Sequence, residues 1–153
     1  NPGTMYETSL PSTSLIRHLA RHIAQKGGAA LIIDYGFVEP SGKPTLQAVS
    51  KHMFTDILAK PGEVDITAHV DFGILKTVAE GQNVKIAGPI GQGEFLNNLG
   101  IELRATQLKQ HAKPEQAAEI DVALKRLTSN EQMGSLFKAM ALVNQKLGEL
   151  PGF

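Results

Sequence analysis

Gly27 to Gly36 reads Gly-Gly-Ala-Ala-Leu-Ile-Ile-Asp-Tyr-Gly, and no other stretch constrains the fold as much. The paired glycine releases the chain from whatever precedes it. Five apolar residues then run without a break, two of them β-branched, and an aspartate follows at once. A strand with one wet face alternates, whereas a strand covered on both faces reads as a continuous apolar run. The pattern therefore predicts a central strand of a parallel sheet over 29–33, with Asp34 at its carboxyl end. Ligands of open α/β sheets bind at that end, which makes Asp34 a candidate site residue. As a plain turn residue before Gly36 it is explained equally well.

A chain of 153 residues suffices for one domain with its own core. Fifteen basic residues balance fifteen acidic ones, so no global field favours nucleic acid or an anionic membrane. The absence of cysteine excludes disulfides and thiolate metal sites and fits a reducing compartment. No apolar run approaches the ~20 residues of a membrane-spanning helix. The chain starts Asn1-Pro2-Gly3 and has its first methionine at Met5, from which we expect a piece of something longer.

Leu15, Ile16, Leu19 and Ile23 recur at helical spacing, with Ser12, Thr13 or Ser14 as cap, Pro11 just ahead and Gly27 as stop. This helix delivers the chain into 29–33. His18 and His22 stand four apart on it, a spacing that can share zinc. The metalloprotease glutamate is replaced by Leu19 and no third ligand lies near, so a solvated basic face is the reading and no metal is expected. Residues 36–65 form a long connection rich in glycine and proline, with a short extended piece at Thr45–Val49 and an ambiguous one at His52–Leu58. Asp71 caps a helix carrying Phe72, Leu75, Val78 and Ala79, which ends at Gly81; Val84, Ile86 and Ile90 make the next strand. Gly88, Gly91 and Gly93 miss the dinucleotide spacing and lack the lysine of a P-loop, leaving a tight strand-to-helix turn. Residues 93–128 read as helical, broken at Gly100 and restarted at Pro114, and Leu136 to Val143 reads as a last strand interrupted by Lys138.

Three strands make a poor sheet, and the first is too apolar to lie at an open edge. Physically this is part of a larger sheet. Several segments then agree with one family: GGAALIIDYG at 27–36, TLQAV at 45–49, PGEVDITAHVDF at 61–72, QGEFLNNLGIELR at 92–104 and MGSLFK at 133–138. In this order and over nearly the whole chain, they resemble the MidA-like S-adenosylmethionine-dependent methyltransferases of bacteria and mitochondria.

The resemblance implies an α/β fold, the C-terminal part of a class I, Rossmann-like methyltransferase sheet. Its three strands would be the fifth, sixth and seventh, with a helical insertion at 93–128 before the last, antiparallel one. That seventh strand should insert between the other two. The resemblance further implies S-adenosylmethionine as cofactor, gripped by a glycine-rich loop and an acidic residue in the other half of the protein. The implied substrate is a protein arginine, in mitochondrial relatives on a respiratory complex I subunit, and the implied location is the mitochondrial matrix or a bacterial cytoplasm. Asp34, Tyr35, His69, Asp71, Gln92, Met133 and Lys138 carry over as motif positions on the substrate side, none with an assigned catalytic role. Gly91 stands where threonine or serine is expected. The expected partners are the protein substrate, the N-terminal half and a second copy as homodimer. A second reading is a non-catalytic interaction domain that retains half of the fold.

Overall fold

The computed structural model describes residues 6–50, 53–59 and 61–153; His52 of the ambiguous 52–58 stretch lies outside them. Helix α1, Leu10–Lys26, starts three residues before the sequence suggests. Ser9 is its cap, accepting from the Ser12 amide at 3.3 Å, and Pro11 sits in the first turn, where a missing N–H costs nothing. Ile16, Ala20 and Ile23 are buried at 3.6-residue spacing. Gly27, at φ 81°, ends the helix in a conformation that strains any other residue.

Strand β1 runs Ala29–Phe37, four residues past the apolar run. The connection that follows folds on itself. Its strands β2 (Gln47–Ser50), β3 (Met53–Thr55) and β4 (Asp65–Thr67) form a small antiparallel sheet in the order β3-β2-β4. Then come β5 (Val70–Asp71), α2 (Phe72–Glu80), β6 (Lys85–Gly91), α3 (Gln92–Asn98), α4 (Ile101–Lys109), α5 (Pro114–Thr128), the single turn α6 (Met133–Leu136) and β7 (Phe137–Val143). The last strand starts one residue late because Leu136 still belongs to that turn.

The main sheet has the order β5-β1-β7-β6. As expected, β7 inserts antiparallel between β1 and β6, from Ala29↔Val143 to Tyr35↔Phe137 on one side and from Lys85↔Val143 to Gly91↔Lys138 on the other. On the far side of β1 the parallel partner β5 pairs only at Gly36↔Val70 and Phe37↔Asp71. Among the described residues, no strand covers the edge of β1 before Gly36.

Helices α1 and α2 pack on one face of this sheet. Ile16, Ala20 and Ile23 meet Phe72, Leu75 and Ala79 over Met140 and Leu142, with Ala30 and Ile32 of β1 beneath. Among the described residues, the expectation that 29–33 is covered on both faces does not hold. Leu31 is 54% and Ile33 42% exposed, since both point away from α1 and α2.

Candidate functional site at the carboxyl edge of the sheet

Strands β1 and β5 end side by side. Close approach there depends on Gly36, because a Cβ at that position would strike the Val70 carbonyl and come within 3.0 Å of the Phe72 ring. Asp71 closes β5 and caps α2, its Oδ1 accepting from the Ile74 amide at 2.9 Å. The amide is one of the donors that a helix start leaves unpaired. Its carboxylate is thereby fixed at the sheet edge beside the start of a helix.

His69 lies just before β5, level with Tyr35 in the parallel register. The two rings meet edge to face at 5.5 Å and 76°, and Tyr35 meets Phe137 at 5.7 Å and 73°. Edge-to-face packing places a ring's positive rim on another's negative face and favours this orientation. Strand alternation sends Asp34 to the opposite face from Tyr35. There Asp34 Oδ1 accepts from the Tyr35 amide at 2.8 Å, and its ladder partner is Lys138. Lys138 Nζ donates instead to the Ser135 carbonyl, and burial pushes the pKa of the ammonium below its usual range. Asp34 and His69 therefore share one end of the sheet, as expected, although Asp34 sits within the strand and not at its last residue.

One site residue has no signal in the sequence. Glu7 accepts the Thr45 amide at 2.9 Å on each carboxylate oxygen, the Leu46 amide at 3.0 Å and the Thr45 hydroxyl. Thr45 Oγ1 in turn accepts from the His69 amide at 3.0 Å. The Thr45 hydroxyl is the main reason that the Glu7 carboxyl stays below the ordinary range. Desolvation opposes it, and the Leu46 and Thr45 amides and the charge of His69 assist. Residues 1–11 have no periodicity, and nothing in a linear reading joins position 7 to position 45.

Glu7, Ser9, Ser12, His69, Asp71 and Leu75 line a cavity of about 170 Å³. A wider hollow of about 470 Å³ adjoins it, sharing Glu7 and Asp71 and reaching Phe37 and Lys43. Gln92 stands at the same carboxyl edge, just after Gly91, which is level with Lys138, but does not line these hollows. It is 6% exposed at the start of α3, and its amide donates to the Leu127 carbonyl at 2.9 Å, holding α5 in place. Met133 starts the turn α6, beside which Gly134 allows the Thr128 carbonyl to approach closely. Among the described residues, no three histidine, aspartate or glutamate side chains gather as a metal site, and no helix is long and apolar enough to cross a membrane. His18 is exposed, its Nδ1 donating to the Ser14 carbonyl at 2.9 Å.

A sheet with an inserted antiparallel last strand, and carboxylates and aromatic rings at its carboxyl edge, defines an α/β domain, and that edge is where open α/β sheets place their ligands. Comparison with known proteins narrows this class. Residues 1–90 match the family described as "Putative S-adenosyl-L-methionine-dependent methyltransferase", and the chain belongs to that family. The mitochondrial protein arginine methyltransferase NDUFAF7 homolog of Drosophila melanogaster is 41% identical over 138 residues, which are 89% of this chain and 31% of that protein. The human protein arginine methyltransferase NDUFAF7 is 35% identical over 130 residues, 84% of this chain and 29% of the relative. A Burkholderia thailandensis protein solved with S-adenosyl-homocysteine superposes at a TM-score of 0.83 and 29% identity, covering 100% of this chain and 41% of that one. The chain spans about a third of the length of the curated relatives it matches.

Proposed function

We propose that these residues form the C-terminal portion of a class I S-adenosylmethionine-dependent methyltransferase that modifies an arginine of a protein. In this reading β1, β6 and β7 are the fifth, sixth and seventh strands, and the 93–128 helices are an insertion before the last. The single observation that carries it is the strand order. An antiparallel strand lies between two parallel ones, and among the described residues the next position outward along β1 is open over most of its length. A parallel strand from the rest of the protein fills that position, and its helices cover Leu31 and Ile33 on the outer face.

The edge does not form a complete nucleoside site by itself. The donors around Glu7 are already engaged. The cofactor is held, on this reading, by the part of the protein outside these residues. What the edge suits is the acceptor side. Asp71, with His69 and Tyr35 beside it, can receive a planar cation, because a carboxylate orients a guanidinium through paired N–H donors and an aromatic face accepts positive charge. Such positioning is the main service a protein gives to a transfer whose reacting group belongs to the cofactor. Asp34 and Lys138 stand on the opposite face of the same edge, and Gln92 follows β6 there, hydrogen-bonded to α5. The names of the relatives support a protein arginine as acceptor, and "mitochondrial" in those names supports a mitochondrial location. A respiratory complex I subunit as substrate rests on the sequence resemblance alone.

Calorimetry with S-adenosyl-homocysteine tests the division of labour. The full-length protein should bind at micromolar concentration and the 153-residue piece should not. Micromolar binding by the piece alone would overturn the assignment. A full-length protein that binds neither cofactor nor arginine-containing peptides would favour the interaction-domain reading instead.

A further inference from the structure

Thr45 stands two residues ahead of β2, where the backbone ladder has not yet begun. The register from Gln47↔Thr67 to Val49↔Asp65, carried two residues outward, sets Thr45 opposite His69. Side-chain bonds replace the ladder at that level. The Thr45 amide donates to both Glu7 oxygens at 2.9 Å, and the His69 amide donates to Thr45 Oγ1 at 3.0 Å. We propose that Glu7 and Thr45 form a relay that positions His69 beside the bound arginine, an inference that rests on the acceptor-side role proposed for this edge.

The direction of the relay is fixed by chemistry. An ionised carboxylate only accepts, so the Thr45 hydroxyl gives its one proton to Glu7. Its lone pairs are then left for the His69 N–H. A charged acceptor roughly doubles the strength of a hydrogen bond, and bonds in series polarise one another. The lowered pKa of Glu7 keeps this direction through the neutral range.

Glu7 has no capacity left for the substrate itself. Its Oε1 accepts the Thr45 and Leu46 amides, and its Oε2 accepts the Thr45 amide and hydroxyl. Asp71 differs, because the α2 cap uses only its Oδ1. Glu7, His69 and Asp71 nonetheless line the same cavity of about 170 Å³. One carboxylate is thus available to a guanidinium, and the other holds the group beside it.

His69 needs such a hold. Ala68 and His69 link β4 to β5 and belong to neither strand, and β5 pairs with β1 at two positions only. A shift of the main chain at 69 would carry the imidazole away from Tyr35, whose ring it meets at 5.5 Å. In a transfer that depends on alignment, a misplacement of about 1 Å can cost about a hundredfold in rate.

Steady-state kinetics of the full-length protein, with S-adenosylmethionine and an arginine-containing peptide, tests the relay. Thr45→Val removes the hydroxyl and keeps the backbone amides that bind Glu7. It should lower kcat about tenfold and leave the KM for S-adenosylmethionine within about twofold. Thr45→Ser, which keeps the hydroxyl, should recover most of the loss. A purely structural bond would lower the melting temperature with kcat per folded molecule intact, and that result overturns the proposal. So does a Thr45→Ser variant as slow as Thr45→Val. Should Thr45→Val fail to fold, Glu7→Gln decides, since its amide nitrogen cannot accept: a comparable fall in kcat supports the relay, and an intact kcat overturns it. A parent that transfers no methyl to arginine peptides overturns the function proposed above, and amide exchange then judges the relay by itself. Faster exchange at His69 in Thr45→Val upholds it, and equal exchange in parent and variant overturns it.

Discussion

Glu7 ties the segment before α1 to the start of the small sheet, and through Thr45 to the His69 backbone. Four accepted hydrogen bonds favour the charged form, so its folded pKa lies below the unfolded value. A group shifted this way contributes stability that is present above the unfolded pKa, about 4.3 for glutamate, and lost as pH falls through the lower folded value. Glu7→Ala should cost about 1 kcal/mol near neutrality, an amount kept small by the solvent around this residue. In acid, the urea midpoints of variant and parent should converge. A gap that stays constant below pH 4 would refute the linkage. Asp71 acts locally by comparison. Asp71→Ala removes the α2 cap and should lower stability by about 1 kcal/mol, while Asp71→Asn, which still accepts from the Ile74 amide, should lose a few tenths. Denaturant titration of the two variants separates capping from charge. If Asn also fails to support binding of an arginine peptide in the full-length protein, the charge is needed for the acceptor.

At the scale of elements, β1 carries two messages at once. Ala30 and Ile32 pack on α1 and α2, and Ala29, Leu31 and Ile33 point the other way. Both sets being apolar, the sequence shows a fully covered strand where these residues cover half of it. Its carboxyl end depends on Gly36, at which any side chain pushes β5 and Phe72 outward. Gly36→Ala should therefore destabilise by about 2 kcal/mol, the cost of overpacking a tight contact. Gly62→Ala probes a different quantity, since nothing lies within 4 Å of an added Cβ and only its φ of 84° opposes the change. Thermal melts should rank Gly36→Ala as the more damaging. Equal losses would mean that β1 and β5 can separate at little cost.

For the whole molecule, the open edge of β1 and its outer face work together. An apolar strand with unpaired ladder groups templates association, and a charge placed on it blocks that. Ile33→Lys should therefore have opposite effects in two contexts. In the isolated 153-residue piece it should improve solubility and reduce aggregation, read by light scattering. In the full-length protein it should cost about 2 kcal/mol, because the lysine replaces a side chain that the remaining sheet and helices bury. A destabilised piece, or an indifferent full-length protein, would mean that no second cover exists.

What the sequence by itself determined is local or periodic. The helix that Gly27 ends, the strand after it, the Asp71 cap, the break at Gly100 and the restart at Pro114 each rest on chemistry within a few residues of chain. Ordered motifs from Gly27 to Lys138 were enough to suggest the family, and with it the insertion of β7 between β1 and β6. The tertiary structure decided what depends on distant chain. It paired β2, β3 and β4 in a sheet of their own, brought Glu7 to Thr45 and His69, seated Gln92 against the end of α5, and left Leu31 and Ile33 exposed. The reason is physical. Propensity and capping act through neighbours in sequence, whereas a carboxylate finds its donors, and a strand its cover, only after the chain has closed on itself.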